Sequence, residues 1–285
     1  ELVVTADDFG LARGINRGIM DCVERGIVTS VSLCVNGSEY EEALVFCRRF
    51  PGLDAGLHIL LVEGDVLSSA SAESGLSDGE GRLPGNWAAF LPRYFLRGIK
   101  PGGLEKEIGA QFDKICGSGI RVVHVNSHQH LHILPGILEI VIDNCRKYGI
   151  KYIRVPYSRP GLHWLSAGIR RVFWQAILNL FCARALPKIR AAGLLACGET
   201  TGVLHAGSIN IPVLKQIIIS LQEGLSEIIC HPARAGRELF LLYGHWGYSW
   251  DQEADSMCSG EARELLQDNG ITLCSFSAAE RENEG

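Results

Sequence analysis

Short β-branched runs alternate with segments whose apolar residues recur every three to four positions, from the first residues almost to the last. Leu2–Thr5 is an apolar run that Asp7-Asp8-Phe9-Gly10 interrupts. Ile15, Ile19, Met20 and Val23 then stand at helical spacing, with Gly26 as a stop. Val28–Val35 reads as the second strand, Glu39–Phe50 as a helix closed by Pro51, and Ala55–Leu61 as the third strand. Residues 64–85, rich in Ser, Gly and Glu, read as a polar flap over one face. Leu104–Cys116 is helical, Ile120–Val125 a strand, Pro135–Tyr148 a helix with Pro in its first turn, and Lys151–Val155 the fifth strand. Later strands are expected at Gly202–His205, Glu227–Cys230 and Ile271–Cys274, with helices at Ile211–Gln222 and Gly260–Asn269.

This alternation predicts right-handed βαβ units and a parallel sheet. Seven or eight such units in 285 residues favour an α/β fold of one domain, a distorted parallel (β/α) barrel, over an open doubly wound sheet. The glycine-rich nucleotide fingerprints G-x-G-x-x-G and G-x-x-x-x-G-K-[ST] are absent from the sequence, which lowers nucleotide-binding readings.

Composition narrows the setting. A chain 47% hydrophobic and 21% charged supports a large core, which excludes disorder. No window reaches the ~18 uninterrupted apolar residues of a membrane span. The ten cysteines are scattered without a C-x-x-C pair and read as buried, reduced thiols. With no signal-peptide pattern at the start, a cytoplasmic location is expected. Net charge is 27 − 32 = −5, which argues against a general nucleic-acid partner. That average conceals an asymmetry. Asn144–Gly198 contains no Asp or Glu but ten Lys and Arg, so this segment carries +10 and the remainder −15. Within it, residues 157–198 read as a basic, aromatic insertion, where Trp164, Phe173, Trp174 and Phe181 interleave with Arg170, Arg171 and Arg184. A solvated helix edge explains this composition; a membrane-facing surface at the inner leaflet explains it too.

Candidate chemistry stands at the ends of the strands, which in a parallel barrel share one face. Asp7-Asp8 follows the first strand, His58 lies in the third, and Asn126–His132 (NSHQHLH) follows the fourth. His231-Pro232 follows the strand at Glu227–Cys230. Taken singly, an Asp pair is more often a turn or helix cap, and a strand histidine a core residue. Their convergence on one face favours a metal site. A carboxylate with two imidazoles suits Zn²⁺, Mg²⁺ or Mn²⁺ and leaves positions open for water and substrate. His124 reads as structural, and His163 and His245 as unassigned loop residues.

Five motifs, in order, carry a resemblance: TADDFG at Thr5–Gly10, GIVTSVSL at Gly26–Leu33, GLH at Gly56–His58, NSHQHLH at Asn126–His132 and CHPA at Cys230–Ala233. Together they resemble the YdjC-like carbohydrate deacetylases, which remove N-acetyl groups from amino sugars. RVP at Arg154–Pro156 and LVEG at Leu61–Gly64 are most similar to the hopanoid-associated branch, whose substrate is a glycosylated lipid. The resemblance implies a polysaccharide-deacetylase-like barrel, one divalent ion (Mg²⁺ or Zn²⁺) on Asp8, His58 and His128, and Asp7 as the catalytic carboxylate. One departure is Asn126, where many relatives carry Asp; an amide there cannot act as a charged orienter or base.

The chemistry of those residues is consistent with amide hydrolysis. Asp7 would serve as general base and His231 as general acid for the sugar nitrogen. His130, His132, Arg154 and Asn126 are expected to contact substrate, although a structural ion pair explains Arg154 equally well. Alternatives are a deacetylase of soluble chitooligosaccharides, another metal-dependent hydrolase such as a phosphoesterase, and a non-catalytic glycan or glycolipid binder. Family analogy suggests a homodimer.

Overall fold

The computed structural model describes residues 1–69 and 73–284, so residues 70–72 of the expected flap lie outside the described residues. Seven strands form one sheet: β1 (Leu2–Phe9), β2 (Ser30–Leu33), β3 (Asp54–Ile59), β4 (Val122–Ser127), β5 (Tyr152–Ile153), β6 (Glu199–Thr201) and β7 (Ser226–Cys230). Every neighbouring pair is parallel, in the order β5-β4-β3-β2-β1-β7-β6. This is a singly wound order: β1 to β5 follow one another across the sheet, and β6 and β7 continue it on the far side of β1. The sheet therefore curls, and the carboxyl ends of the strands converge on one mouth. The two edges meet through an isolated bridge, Tyr152 with Leu195, and through the Thr200 N–H donating to the Tyr157 carbonyl at 2.9 Å. The barrel is thus a curled sheet whose edges touch without a continuous ladder.

β1 is central because all eight of its residues are buried, the signature of a strand covered on both faces. Its amphipathic follower, helix Arg13–Arg25, buries Ile15, Ile19 and Cys22 and ends at Gly26 as the apolar spacing requires. The helix comes so close to the segment after β7 that a Cβ on Gly18 would lie 2.3 Å from the Ala233 Cα. Only glycine permits that approach.

Three expectations need correction. Gly202–His205 is not a strand. The strand is Glu199–Thr201, and Gly202, at φ 100°, turns the chain into a 3₁₀ turn at Val203–His205. Ile271–Cys274 contributes only one bridge, Leu2 with Leu273. The flap at 64–85 is packed rather than too polar to pack. Leu76 and Leu83 are buried in it, Asp65 bridges Arg82, and the Leu83 N–H donates to the Gly64 carbonyl at 2.8 Å. Residues 157–198 form the crossover from β5 to β6, built on helices Leu162–Leu165 and Ile169–Ala191. Helices Trp87–Phe95, Arg237–Tyr243, Trp250–Cys258 and Phe276–Glu284 were not legible in the apolar pattern. The first of these holds Pro92 and buries only Phe90, so it shows little periodicity.

Because backbone rather than a flexible side chain meets the added methyl group, Gly18→Ala is expected to cost about 2–3 kcal/mol. Chemical denaturation measures this, and a loss under roughly 0.5 kcal/mol would show that the helix can move away freely.

Candidate metal centre and active-site cleft

The site begins with a backbone irregularity. Successive strand residues face opposite sides, so Asp7 and Asp8 could not both address the mouth from a regular strand. The β1–β2 register shifts between Ala6 and Phe9, and Asp8 sits in the left-handed region at φ 68°. A non-glycine residue held there is strained, which the surrounding contacts must offset. Both carboxylates are 1% exposed.

Asp8 meets two imidazoles. Its Oδ1 lies 2.9 Å from His128 Nδ1 and 3.3 Å from His58 Nε2, and those two nitrogens are 3.4 Å apart. Its Oδ2 is buried without a partner. Asp8, His58 and His128 thus bring ligand atoms within 4.8 Å of one another. An orphaned carboxylate oxygen beside two convergent ring nitrogens is a donor set that fits a divalent cation. Burial opposes a charge on His128, yet Asp8 on one side and Glu63 on the other push its pKa up to about 10. Of these two carboxylates Asp8, at Nδ1, belongs to the candidate metal cluster, whereas Glu63 faces Nε2 on the other side of the ring.

Further contacts aim these ligands. The His58 Nδ1–H donates to Asn126 Oδ1 at 2.6 Å, which leaves the Nε2 lone pair facing the centre. Asn126 Nδ2 donates to Ser32 Oγ at 2.8 Å and reaches Asp7 Oδ1 at 3.5 Å. Asn126, expected at the substrate, is wholly buried, with its amide engaged by His58, Ser32 and Asp7. An amide performs this orientation without a charge. His128 Nε2 lies 3.3 Å from Glu63 Oε2, and Trp246 Nε1–H donates to the same carboxylate at 2.7 Å.

Asp7 is held differently. Arg154 spans it with Nη1 on Oδ2 at 2.5 Å and Nη2 on Oδ1 at 3.0 Å, and turns Nε and Nη2 to Glu227 at 3.0 and 2.8 Å. Burial raises the Asp7 pKa, but Arg154 and then His58 more than offset this and hold it well below the usual carboxylate range. Thr5 and Thr200 hydroxyls donate to Glu227 at 2.8 and 3.2 Å. Arg154 is therefore a buried ion pair with strand carboxylates, the structural one of the two readings its sequence position allowed. His132 is also placed behind the cleft: it exchanges hydrogen bonds with Ser127 at 2.8 Å, and its Nε2–H donates to the Arg154 carbonyl at 2.8 Å. Burial lowers its pKa to about 3.

The remaining candidates face open space. Asp7, His58, His128, His130 and His231 line a cavity of about 150 Å³ at the mouth. His130 and its neighbour Gln129 both hold left-handed backbones, at φ 57° and 54°. Nδ1 of His130 and Nδ1 of His231 are buried without partners. Burial lowers the His231 pKa, with Asp8 and Asp7 acting in the opposite direction. His231 stands against Tyr248, ring centroids 5.4 Å apart, and Glu253 accepts its backbone N–H at 2.6 Å. His124 lies under β3, 2.8 Å from Ser30 Oγ, and His163 is buried rather than a surface residue. His245 touches Glu63 at 3.3 Å.

Sequence reasoning missed Glu63, Gln129, Trp246 and Tyr248. The run Tyr243–Trp250 (YGHWGYSW), dense in aromatics outside any apolar periodicity, was the available signal.

Comparison with known proteins places the chain in a family. The profile of the family described as YdjC-like protein matches residues 1–268. A protein of Brevibacillus brevis named carbohydrate deacetylase is 35% identical over 281 residues, covering 97% of this chain and 98% of its own. A human protein of the same name is 34% identical over 308 residues, covering 100% of this chain and 92% of its own. Among solved structures, an Enterococcus faecalis protein described as a cellobiose-phosphate cleavage protein superposes with a TM-score of 0.78 at 23% identity, covering 97% of both chains. That likeness concerns the fold.

Arg154→Met would leave two buried carboxylates without their cation, and is expected to cost about 3–5 kcal/mol. Adding Glu227→Gln should recover part of that loss in the same urea titration. A single-variant loss below about 1 kcal/mol would contradict the pairing described.

Proposed function

The chain belongs to the YdjC-like family, and from that premise we propose that it is a metal-dependent carbohydrate N-deacetylase acting on an N-acetylglucosamine-type sugar. The observation that carries this reading is the convergence of Asp8, His58 and His128 beside a second buried carboxylate in an open cleft. Relatives named carbohydrate deacetylase, matched along nearly their whole length, support it.

Asp8, His58 and His128 would hold a divalent ion, which would supply Lewis acidity for the acetamide carbonyl and for the attacking water. Asp7, ionised and lining the same cleft, accepts the proton of the attacking water. Arg154 holds the Asp7 carboxylate in place through two contacts, a positioning role. His231, which follows β7 beside β1, would in its protonated form deliver a proton to the departing sugar nitrogen. His130 lines the cleft beside these groups and would contact the sugar. Ring stacking by Trp246 on His128, with centroids 5.3 Å apart, keeps that imidazole aimed at the centre.

The motifs at Arg154–Pro156 and Leu61–Gly64 favour a sugar attached to a hopanoid lipid over a free oligosaccharide. A peripheral membrane contact by the β5–β6 crossover accompanies this reading. Leu165 and Ile169 are each 84% exposed there, next to exposed Arg170 and Arg171. No described helix is long and apolar enough to cross a membrane.

Asp8→Ala, His58→Ala and His128→Ala should each abolish acetate release and lower bound metal, whereas Asp7→Asn should keep the metal and lose about 10²–10⁴-fold in turnover. Mass-spectrometric screening of N-acetylglucosaminyl glycolipids, chitobiose and phosphoesters reads the reaction. Unchanged turnover in the three ligand variants, or turnover of phosphoesters alone, would refute the assignment. For the membrane contact, co-sedimentation with anionic vesicles should fall when Arg170 and Arg171 become Gln; binding indifferent to lipid charge would count against it.

A further inference from the structure

The two ends of the chain meet along a seam between helix Arg13–Arg25 and helix Trp250–Cys258. Two ties fix it. The Ile27 N–H donates to the Met257 carbonyl at 3.1 Å, and a Cβ on Gly26 would lie 2.6 Å from that same oxygen, so glycine lets the two backbones approach. On the solvent side, Arg234 Nε reaches Asp21 Oδ2 at 2.7 Å and its Nη1 reaches Asp255 Oδ1 at 2.6 Å, which clasps one residue of each helix.

Two free thiols stand next to these ties in the sequence. Cys22, fully buried on the inner face of its helix, donates its S–H to the Ala254 carbonyl at 3.6 Å. Cys258, the last residue of its helix, is only half-buried, where the sequence suggested a buried thiol. Their Sγ atoms are 3.5 Å apart. An S–S bond is about 2.05 Å long, so the sulfurs have about 1.5 Å to close, and the ties already hold the two backbones in place for it.

The two sulfurs are not equivalent. When Cys258 ionises, the Cys22 thiol donates to it and Arg234 adds a nearby positive charge; against burial, these hold the Cys258 thiol below its usual range. Contact with Cys258 and burial push Cys22 up. The accessible sulfur is therefore the one that ionises, and the inaccessible one waits behind it as a thiol. That is the division of labour between an attacking and a resolving cysteine.

We propose that Cys22 and Cys258 are a peroxide-sensitive pair, which hydrogen peroxide converts into an intramolecular disulfide across the seam. The Cys258 thiolate attacks one peroxide oxygen, the O–O bond breaks, and the departing hydroxide takes up a proton to leave as water. Cys258 is then a sulfenic acid. The Cys22 sulfur attacks the Cys258 sulfur, the S–O bond breaks, and the second hydroxide leaves as water with the Cys22 proton. Two thiols lose two electrons, and one peroxide gains them. The new bond joins positions 236 apart in the sequence, closing a loop of most of the chain. It also fastens the helix bearing Glu253, which accepts the backbone N–H groups of His231 and Ile209 at 2.6 and 2.9 Å, to the helix that follows Asp7 and Asp8. Nothing in this inference depends on the reaction carried out in the cleft.

The test treats fully reduced protein with a small molar excess of hydrogen peroxide. The expected product is lighter by about 2 Da, is restored by dithiothreitol, and yields one linked peptide pair, Cys22 with Cys258. Its melting temperature should rise by about 5 °C or more over the reduced protein. In Cys22→Ser, peroxide should leave a sulfenic acid on Cys258 that dimedone traps; in Cys258→Ser, Cys22 should stay reduced. Neither variant should gain in melting temperature. The wild-type peptide map decides the pairing without any substitution. A bridge that involves Cys230 or another thiol, Cys258 over-oxidised to a sulfinic acid with no bridge, or an unchanged melting temperature in the bridged protein would overturn the proposal.

Discussion

Two adjacent carboxylates, buried at the end of the central strand, are the charge around which the rest of the site is arranged. Asp7 and Asp8 could not be buried side by side without compensation, because each desolvated anion costs several kcal/mol unless it is paired. The protein pairs them in two different ways. Asp7 receives a permanent cation, Arg154, which is itself shared with Glu227. Asp8 receives two titratable imidazoles and retains one oxygen without a partner. One carboxylate is thereby saturated by protein and the other is prepared for an exogenous cation. The left-handed turn of Asp8 permits this division, since it brings neighbouring residues of one strand to one mouth.

The division also accounts for residues that sequence logic had placed against substrate. Asn126, Arg154 and His132 all stand behind the cleft and act on the groups that line it. Asn126 fixes which nitrogen of His58 faces the centre, and His132 braces the Arg154 carbonyl. A carboxylate in place of Asn126 would bring a third anion beside Asp7 and Asp8, which the neutral amide avoids. Orientation here comes from hydrogen bonds, and charge is reserved for the metal ligands and the base.

The parallel sheet, the strand ends and the ligand triad were legible in the sequence because each rests on local pattern. Apolar strands, helical periodicity and a dense histidine cluster require no knowledge of distant packing. What was not legible depends on contacts across the chain. Glu63 reaches His128 only because its loop folds back over the mouth, anchored by the buried Leu76 and Leu83. Trp246 and Tyr248 arrive from a segment after helix Arg237–Tyr243, far along the chain from the β3 and β4 ends whose neighbours they touch. The acid-free segment coincides with the β5–β6 crossover and its helices Leu162–Leu165 and Ile169–Ala191.

The central claim is that Asp8, His58 and His128 hold a divalent ion on which deacetylation depends. Acetate release should be followed in protein stripped by a chelator, with metal content verified, and again after stoichiometric Zn²⁺ or Mg²⁺ is restored. The account predicts that turnover is lost on stripping and regained on addition of one ion per chain. Full turnover by verified metal-free protein would contradict it.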